Sequence, residues 1–151
     1  MGTRSLTSFI EVGEYEGKRY KNEIVTMYRQ MDGYPSGMGV DLAEFLAGGK
    51  LANGISLAEK SSVIFNGMGC LAAQAVAHFK HGAGGYYLQR NNKGSGEEYR
   101  YHVIGDYDTK ALTMKVFEVG YMNKKDKYVN KTRCIFTGTP ADFLKSKLAG
   151  E

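Results

Sequence analysis

From residue 85 onward the chain is a succession of short β-rich runs: GYYLQR (85–90), EEYRYHVIGDY (97–107), ALTMKVFEVG (111–120) and TRCIFTG (132–138). Each is rich in aromatic and β-branched residues and bounded by Gly, Asn or Asp, the pattern of strands joined by turns. The intervening NNKGSG and YDTK suit antiparallel connections, because their Gly, Asn and Asp residues reach turn conformations at low steric cost. This half of the chain is therefore committed to a sheet whose strands are mostly neighbours in sequence.

The first half supplies two more strands and two helices. SLTSFIEV (5–12) and EIVTMYRQ (23–30) flank the polar GEYEGKRYKN, which fits a hairpin turn around Gly17. In VDLAEFLAG (40–48), Val40, Leu42, Ala43, Phe45 and Leu46 recur at near-helical spacing, and Gly48 and Gly49 provide the stop. After a loose KLANGISLAEKSS, the stretch MGCLAAQAVAHFK (68–80) carries Leu71, Ala72, Ala75, Val76 and Phe79 on one stripe, and HGAGG ends it. TPADFLKSKL (139–148) has a threonine cap, a proline at the first helical position and lysines near its end. The order ββααββββα predicts an α+β fold, a mostly antiparallel sheet of about six strands with two or three helices packed on one face. A length of 151 residues with only two prolines and no linker predicts one domain, 1–151.

Cys70 and Cys134 are far apart and make neither a disulfide framework nor a zinc site, which favours a reducing compartment. MGTRSLTSF lacks a secretory apolar core, no run approaches transmembrane length, and Leu6 breaks the myristoylation pattern. The expectation is a soluble, cytoplasmic chain without a membrane partner. Charge is uneven: residues 1–75 sum to −1 and residues 76–151 to +5, within an overall +4. Most of the excess lies in KKDKYVNKTR (124–133), five basic residues against Asp126. That segment could meet nucleic-acid phosphate, or it could be a solvated loop or an edge strand protected by lysines. With no aromatic platform evident beside it, the nucleic-acid reading is not the favoured one.

NGMGCLAAQAVAHF (66–79) fits G-x-G-x-x-A through Gly67, Gly69 and Ala72, and SGMGVDLAEFL (36–46) echoes it. A dinucleotide fold also needs a strand before the glycines and an acidic residue about 20 positions on. Here the preceding run is only SVIF, and no Asp or Glu occurs between residues 60 and 96, so a Rossmann fold is rejected. A weaker reading survives, because a helix start can hold an anion on its free N–H groups. Ser36, Gly37 and Gly39, with Asn66, Gly67 and Gly69, are then candidate phosphate cradles; alternatively Ser36 and Asn66 simply cap their helices.

YRQMDGYPSG (28–37) is the most promising polar cluster. Arg29 offers a fork for phosphate or carboxylate, Tyr34 a stacking face, and Asp32 an acceptor for a ribose hydroxyl or base amine. The structural alternative is a stiff turn with Arg29 paired to Asp32 or Asp41. His78 and His81 are spaced to bind metal but lack a local third ligand, so no metal and no cofactor are expected. His102 sits within a strand. Cys70, in a first helical turn, could be a lowered-pKa thiol or a small hydrophobe.

MGTRSLT, YRQMDGYPSGMG…LAEFL, NGMGCLAAQAVAHFKHGAGGYYL and GEEYRYHV resemble a family of short uncharacterised proteins encoded by phages and bacteria. The resemblance covers about the first 90 residues plus 96–103. It implies no activity, but it suggests a phage-type origin, and small phage proteins without catalytic motifs often act by binding. The leading expectation is a non-catalytic binding protein for a small phosphorylated ligand, such as a sponge for a nucleotide immune signal, with a pocket that a homo-oligomer could share. The alternatives are an enzyme acting on a nucleotide or nucleic acid, with Asp32, His78 or His102 as acid or base, and a phage protein that binds a host protein.

Overall fold

In the computed structural model, residues 2–52 and 63–150 are described. Strands β1 (Ser5–Tyr15) and β2 (Lys18–Arg29) form the expected hairpin, closed at Glu16 and Gly17, which take φ of 51° and 78°. Two consecutive left-handed residues match the right-handed twist of paired strands, which is why the turn can be this short. A π-helical turn (Pro35–Gly39) runs directly into α1 (Val40–Ala47). A pair of short parallel strands follows, β3 (Gly49–Ala52) and β4 (Val63–Asn66), and then α2 (Met68–Phe79). The second half holds β5 (Tyr86–Gln89), β6 (Tyr99–Asp106), β7 (Leu112–Met122), β8 (Tyr128–Gly138), α3 (Pro140–Leu144) and a 3₁₀ turn (Lys147–Gly150).

The main sheet has six strands in the order β5-β2-β1-β6-β7-β8, antiparallel throughout except for β1 and β6. With the three helices this is the α+β architecture that the element order predicts. The alternation along each strand decides which side chains meet the helices. Phe9, Met27, Tyr101, Val103, Met114 and Val116 join Met38, Leu42, Leu46, Leu51, Phe65, Met68, Leu71, Ala75 and Phe143 in one buried cluster. Each large apolar side chain taken fully from water there contributes about 1.5–3 kcal/mol. The helices and the small β3–β4 sheet thus share one face.

Several expectations change. NNKGSG is not an antiparallel turn: β5 and β6 lie on opposite sides of the β2–β1 pair, so residues 90–98 cross over the sheet. They cross the face away from the helices. Gln89, paired in register with Thr26, donates to the carbonyls of Asn91 and Lys93, and Arg100, paired with Leu6, holds the buried Glu97. Beneath them Leu6, Ser8, Ile10 and Thr26 are also buried, and the Ser8 and Thr26 hydroxyls meet at 2.9 Å. YDTK does close the β6–β7 hairpin, through Lys110 N–H to Asp106 and Asp106 N–H to Ala111.

The last helix is shorter than the expected 139–148, ending at Leu144 before the 3₁₀ turn, although Thr139 caps it as expected by accepting from Asp142 N–H at 3.0 Å. β3 was not anticipated: its Gly49–Ala52 falls partly within the segment expected to be loose, the rest of which, 53–62, lies outside the described residues. No helix among the described residues is long and apolar enough to cross a membrane.

Candidate functional site

The two Gly-Met-Gly stretches are built for packing. Neither Ser36 nor Asn66 caps a helix with its side chain; Gly39 and Gly67 occupy the cap positions of α1 and α2. A Cβ on Gly37 would run into the carbonyl oxygen of Asp32, and one on Gly39 would meet the Phe143 ring at 2.6 Å and Tyr101 at 3.3 Å. The close approach that these glycines permit is therefore an approach of the chain to itself. Gly67 has φ +85°, and its N–H lies 3.0 Å from Ala52 O and 2.9 Å from Phe65 O. The neighbouring Met68 N–H donates to the Tyr107 hydroxyl, which in turn donates to Glu11. Gly69 alone has open space where a side chain would be.

A strand, a glycine and a helix do follow one another at β4–Gly67–α2. Yet the next strand, β5, pairs antiparallel with β2 in the other sheet, so the dinucleotide topology is absent. Nor do the two turns converge. Gly39 stands against Tyr101 and Met68 against Gly105, positions about 13 Å apart along an extended β6.

Arg29 takes the structural alternative. Its Nε donates to Met31 O at 2.7 Å, its Nη1 contacts Asp41 Oδ2 at 2.8 Å, and its guanidinium lies over the Tyr86 ring at 5.6 Å. Asp41 also lines a cleft of about 460 Å³ with Glu44, Phe45, His78, His81 and Tyr86. Of its two carboxylates, Asp41 is already paired with Arg29. Among the described residues no three His, Cys, Asp or Glu side chains converge to hold a metal ion. Asp32 adopts φ 56° at the turn that receives Met38 N–H, and its Oδ1 accepts from Tyr34 Oη at 3.3 Å. Cys70 donates to Gln74 within α2.

Two of the nine candidates, Tyr34 and Ser36, come together at a second cleft, also about 460 Å³, with Pro35, Tyr99, Glu118, Ile135 and Leu148. It opens where the helical layer ends and the β7–β8 hairpin begins. Burial pushes the Tyr99 phenol above its ordinary pKa, with the nearby Glu118 and Glu98 adding to the shift, so the hydroxyl stays protonated and able to donate. Glu118 lies 3.5 Å from Arg133, whose guanidinium stacks 3.7 Å from the centre of the Tyr121 ring. The cleft thus offers two phenol rings, one serine hydroxyl and one carboxylate, with a guanidinium alongside. Tyr99 and Glu118 were not singled out in the sequence, and Arg133 stood there only among the basic residues of 124–133. They reach Tyr34 only through β6–β7–β8 pairing, which no local pattern encodes.

No family model, curated protein or solved structure matches this chain.

Proposed function

We propose that this chain is a non-catalytic binding protein for a small phosphorylated ligand of the nucleotide class, held in the cleft between Tyr34 and Tyr99. The observation that carries this reading is the composition of that cleft. Aromatic faces suit a base, and Ser36 and Glu118 suit its polar edge or a ribose hydroxyl. Arg133 lies beside the cleft. Its pair with Glu118 is longer, at 3.5 Å, than the 2.8 Å pair of Arg29 with Asp41, and its side chain is the more exposed of the two. Its planar fork therefore supplies the charge for a phosphate. Arg29, committed to Asp41, is not part of the site in this reading, and the glycine turns are scaffold. A nucleotide signal sequestered by a phage sponge belongs to this ligand class.

Native mass spectrometry with mono-, di- and cyclic nucleotides tests it. The expected result is an intact adduct that weakens at least ten-fold in Tyr34→Ala, whose ring is 39% exposed and can be removed without opening the core. Arg29→Ala should keep the adduct while losing about 1–2 kcal/mol of stability, the order expected for hydrogen bonds to a charged group. Loss of binding in Arg29→Ala but not in Tyr34→Ala, with both variants folded, would move the site back to the Arg29 turn. Conversion of the nucleotide to a new product mass would replace the reading with an enzyme.

A further inference from the structure

β6 pairs with β7 only as far as Tyr99 opposite Glu118, whereas β7 and β8 remain paired out to Met122 opposite Tyr128. Val119 N–H still reaches Glu98 O at 2.9 Å, and beyond it the hairpin is a two-stranded ribbon that leaves the body of the sheet. Its tip is a built turn. Asn123 Oδ1 accepts from Lys125 N–H at 2.9 Å and from Lys127 N–H at 3.0 Å, and Asp126 N–H donates to Asn123 O at 3.0 Å. Asp126 takes φ 57° there. The one acidic residue of the arm is thus a turn residue among Lys124, Lys125, Lys127, Lys131 and Arg133.

Protection of an edge strand explains Lys131 and Arg133 on β8, but not Lys124, Lys125 and Lys127, which lie at the tip where there is no edge to protect. The ribbon also carries two tyrosines, Tyr128 within the basic segment and Tyr121 just before it. Tyr121 is stacked under Arg133, and Tyr128, 65% exposed, lies over Gly120. The exposed Tyr128 and the half-buried Tyr121, one face of which Arg133 covers, thus stand among the basic residues of one arm. A single-stranded nucleic acid is bound by this combination of charge that follows the backbone and rings on which bases stack.

We propose that the β7–β8 ribbon is an arm that binds single-stranded nucleic acid, with the tip lysines on phosphates and Tyr121 and Tyr128 against bases. This goes beyond the cleft reading and rests on the tip lysines and Tyr128, not on Arg133, which stands between the two regions. The test is fluorescence anisotropy of a labelled oligothymidylate, and of a duplex of the same length, across a salt series. The full chain is compared with Lys124→Glu/Lys125→Glu and with Tyr121→Ala, folding of each being checked by circular dichroism. The mononucleotide adduct is followed in parallel by native mass spectrometry.

The expected result is single-strand binding that falls with log salt at a slope of about −0.7 for each phosphate neutralised. Reversal of the two lysines should weaken it at least ten-fold and make the slope shallower by about 0.7 for each lysine that no longer meets a phosphate. Tyr121→Ala should weaken it with the slope unchanged. Binding that is absent at low salt, indifferent to the reversal or tighter for duplex overturns the arm, even if the mononucleotide adduct persists. Tip-dependent oligonucleotide binding without a mononucleotide adduct supports the arm and overturns the cleft.

Discussion

Gly39 and Gly69 hold the same place in two similar stretches, yet their surroundings are opposite. Gly39 is buried beneath Phe143, and Gly69 is exposed with nothing within 4 Å of its missing Cβ. Gly39→Ala must push the Phe143 ring aside and should cost about 1–3 kcal/mol, the range for overpacking a filled core. Gly69→Ala, in the first turn of α2, should be neutral or gain up to about 1 kcal/mol from helix propensity. Urea denaturation of the two variants checks this, and equal effects would contradict the packing assigned to Gly39. The sequence read both glycines correctly as belonging to helix starts. What fills the space beside Gly39 was hidden, because Phe143 and Tyr101 come from distant parts of the chain. For the same reason the Tyr34 and Ser36 candidates lacked partners until Tyr99 and Glu118 were placed beside them.

At the scale of elements, the existence of an element was legible where the signal is local, its bounds less so. β1 and β2 run on to Tyr15 and from Lys18, through most of the GEYEGKRYKN expected as a turn, and β8 starts at Tyr128 and not at Thr132. The β1–β2 hairpin, α1 and α2 follow from alternation, helical spacing and glycine stops. The parallel β3–β4 pair was hidden because four-residue strands carry almost no periodicity. Residues 90–98 were misread because turn-forming residues say that the chain bends, not which strands it joins. The Tyr107 hydroxyl links two elements that sequence reading left unconnected, receiving Met68 N–H at the start of α2 and donating to Glu11 on β1. Tyr107→Phe should cost about 1 kcal/mol for each hydrogen bond removed. It should also speed amide exchange at Met68 more than at Leu71, whose N–H remains bonded to Gly67 O at 3.0 Å. Uniform acceleration along α2 would argue against a local tether.

At the scale of the molecule, the sheet face away from the helices carries His102 against Phe117, with ring centres 4.6 Å apart. Burial lowers its imidazole from the ordinary 6.5 to about 4; Lys21, Lys115 and Arg100 push the same way, and Glu23 opposes them. Because the folded pKa is the lower one, the unfolded chain binds the extra proton between pH 6.5 and 4. Stability from this group is therefore complete above pH 6.5 and is lost as the pH falls toward 4. Thermal melts across that window should show a steeper fall for the native chain than for His102→Gln, and parallel curves would refute the assignment.

The one parallel pairing of the main sheet, Ser5 to Tyr99 through Val12 to Asp106, has a consequence for biosynthesis. The β1–β2 hairpin leaves the ribosome long before β6 exists, and until then the inner edge of β1 is an open template of unsatisfied N–H and C=O groups. Joining strands so far apart in the chain makes the final docking slow. The nascent hairpin is thus the stage at which crowding by other chains, or a chaperone able to shield one strand, decides how much of this protein reaches its native state.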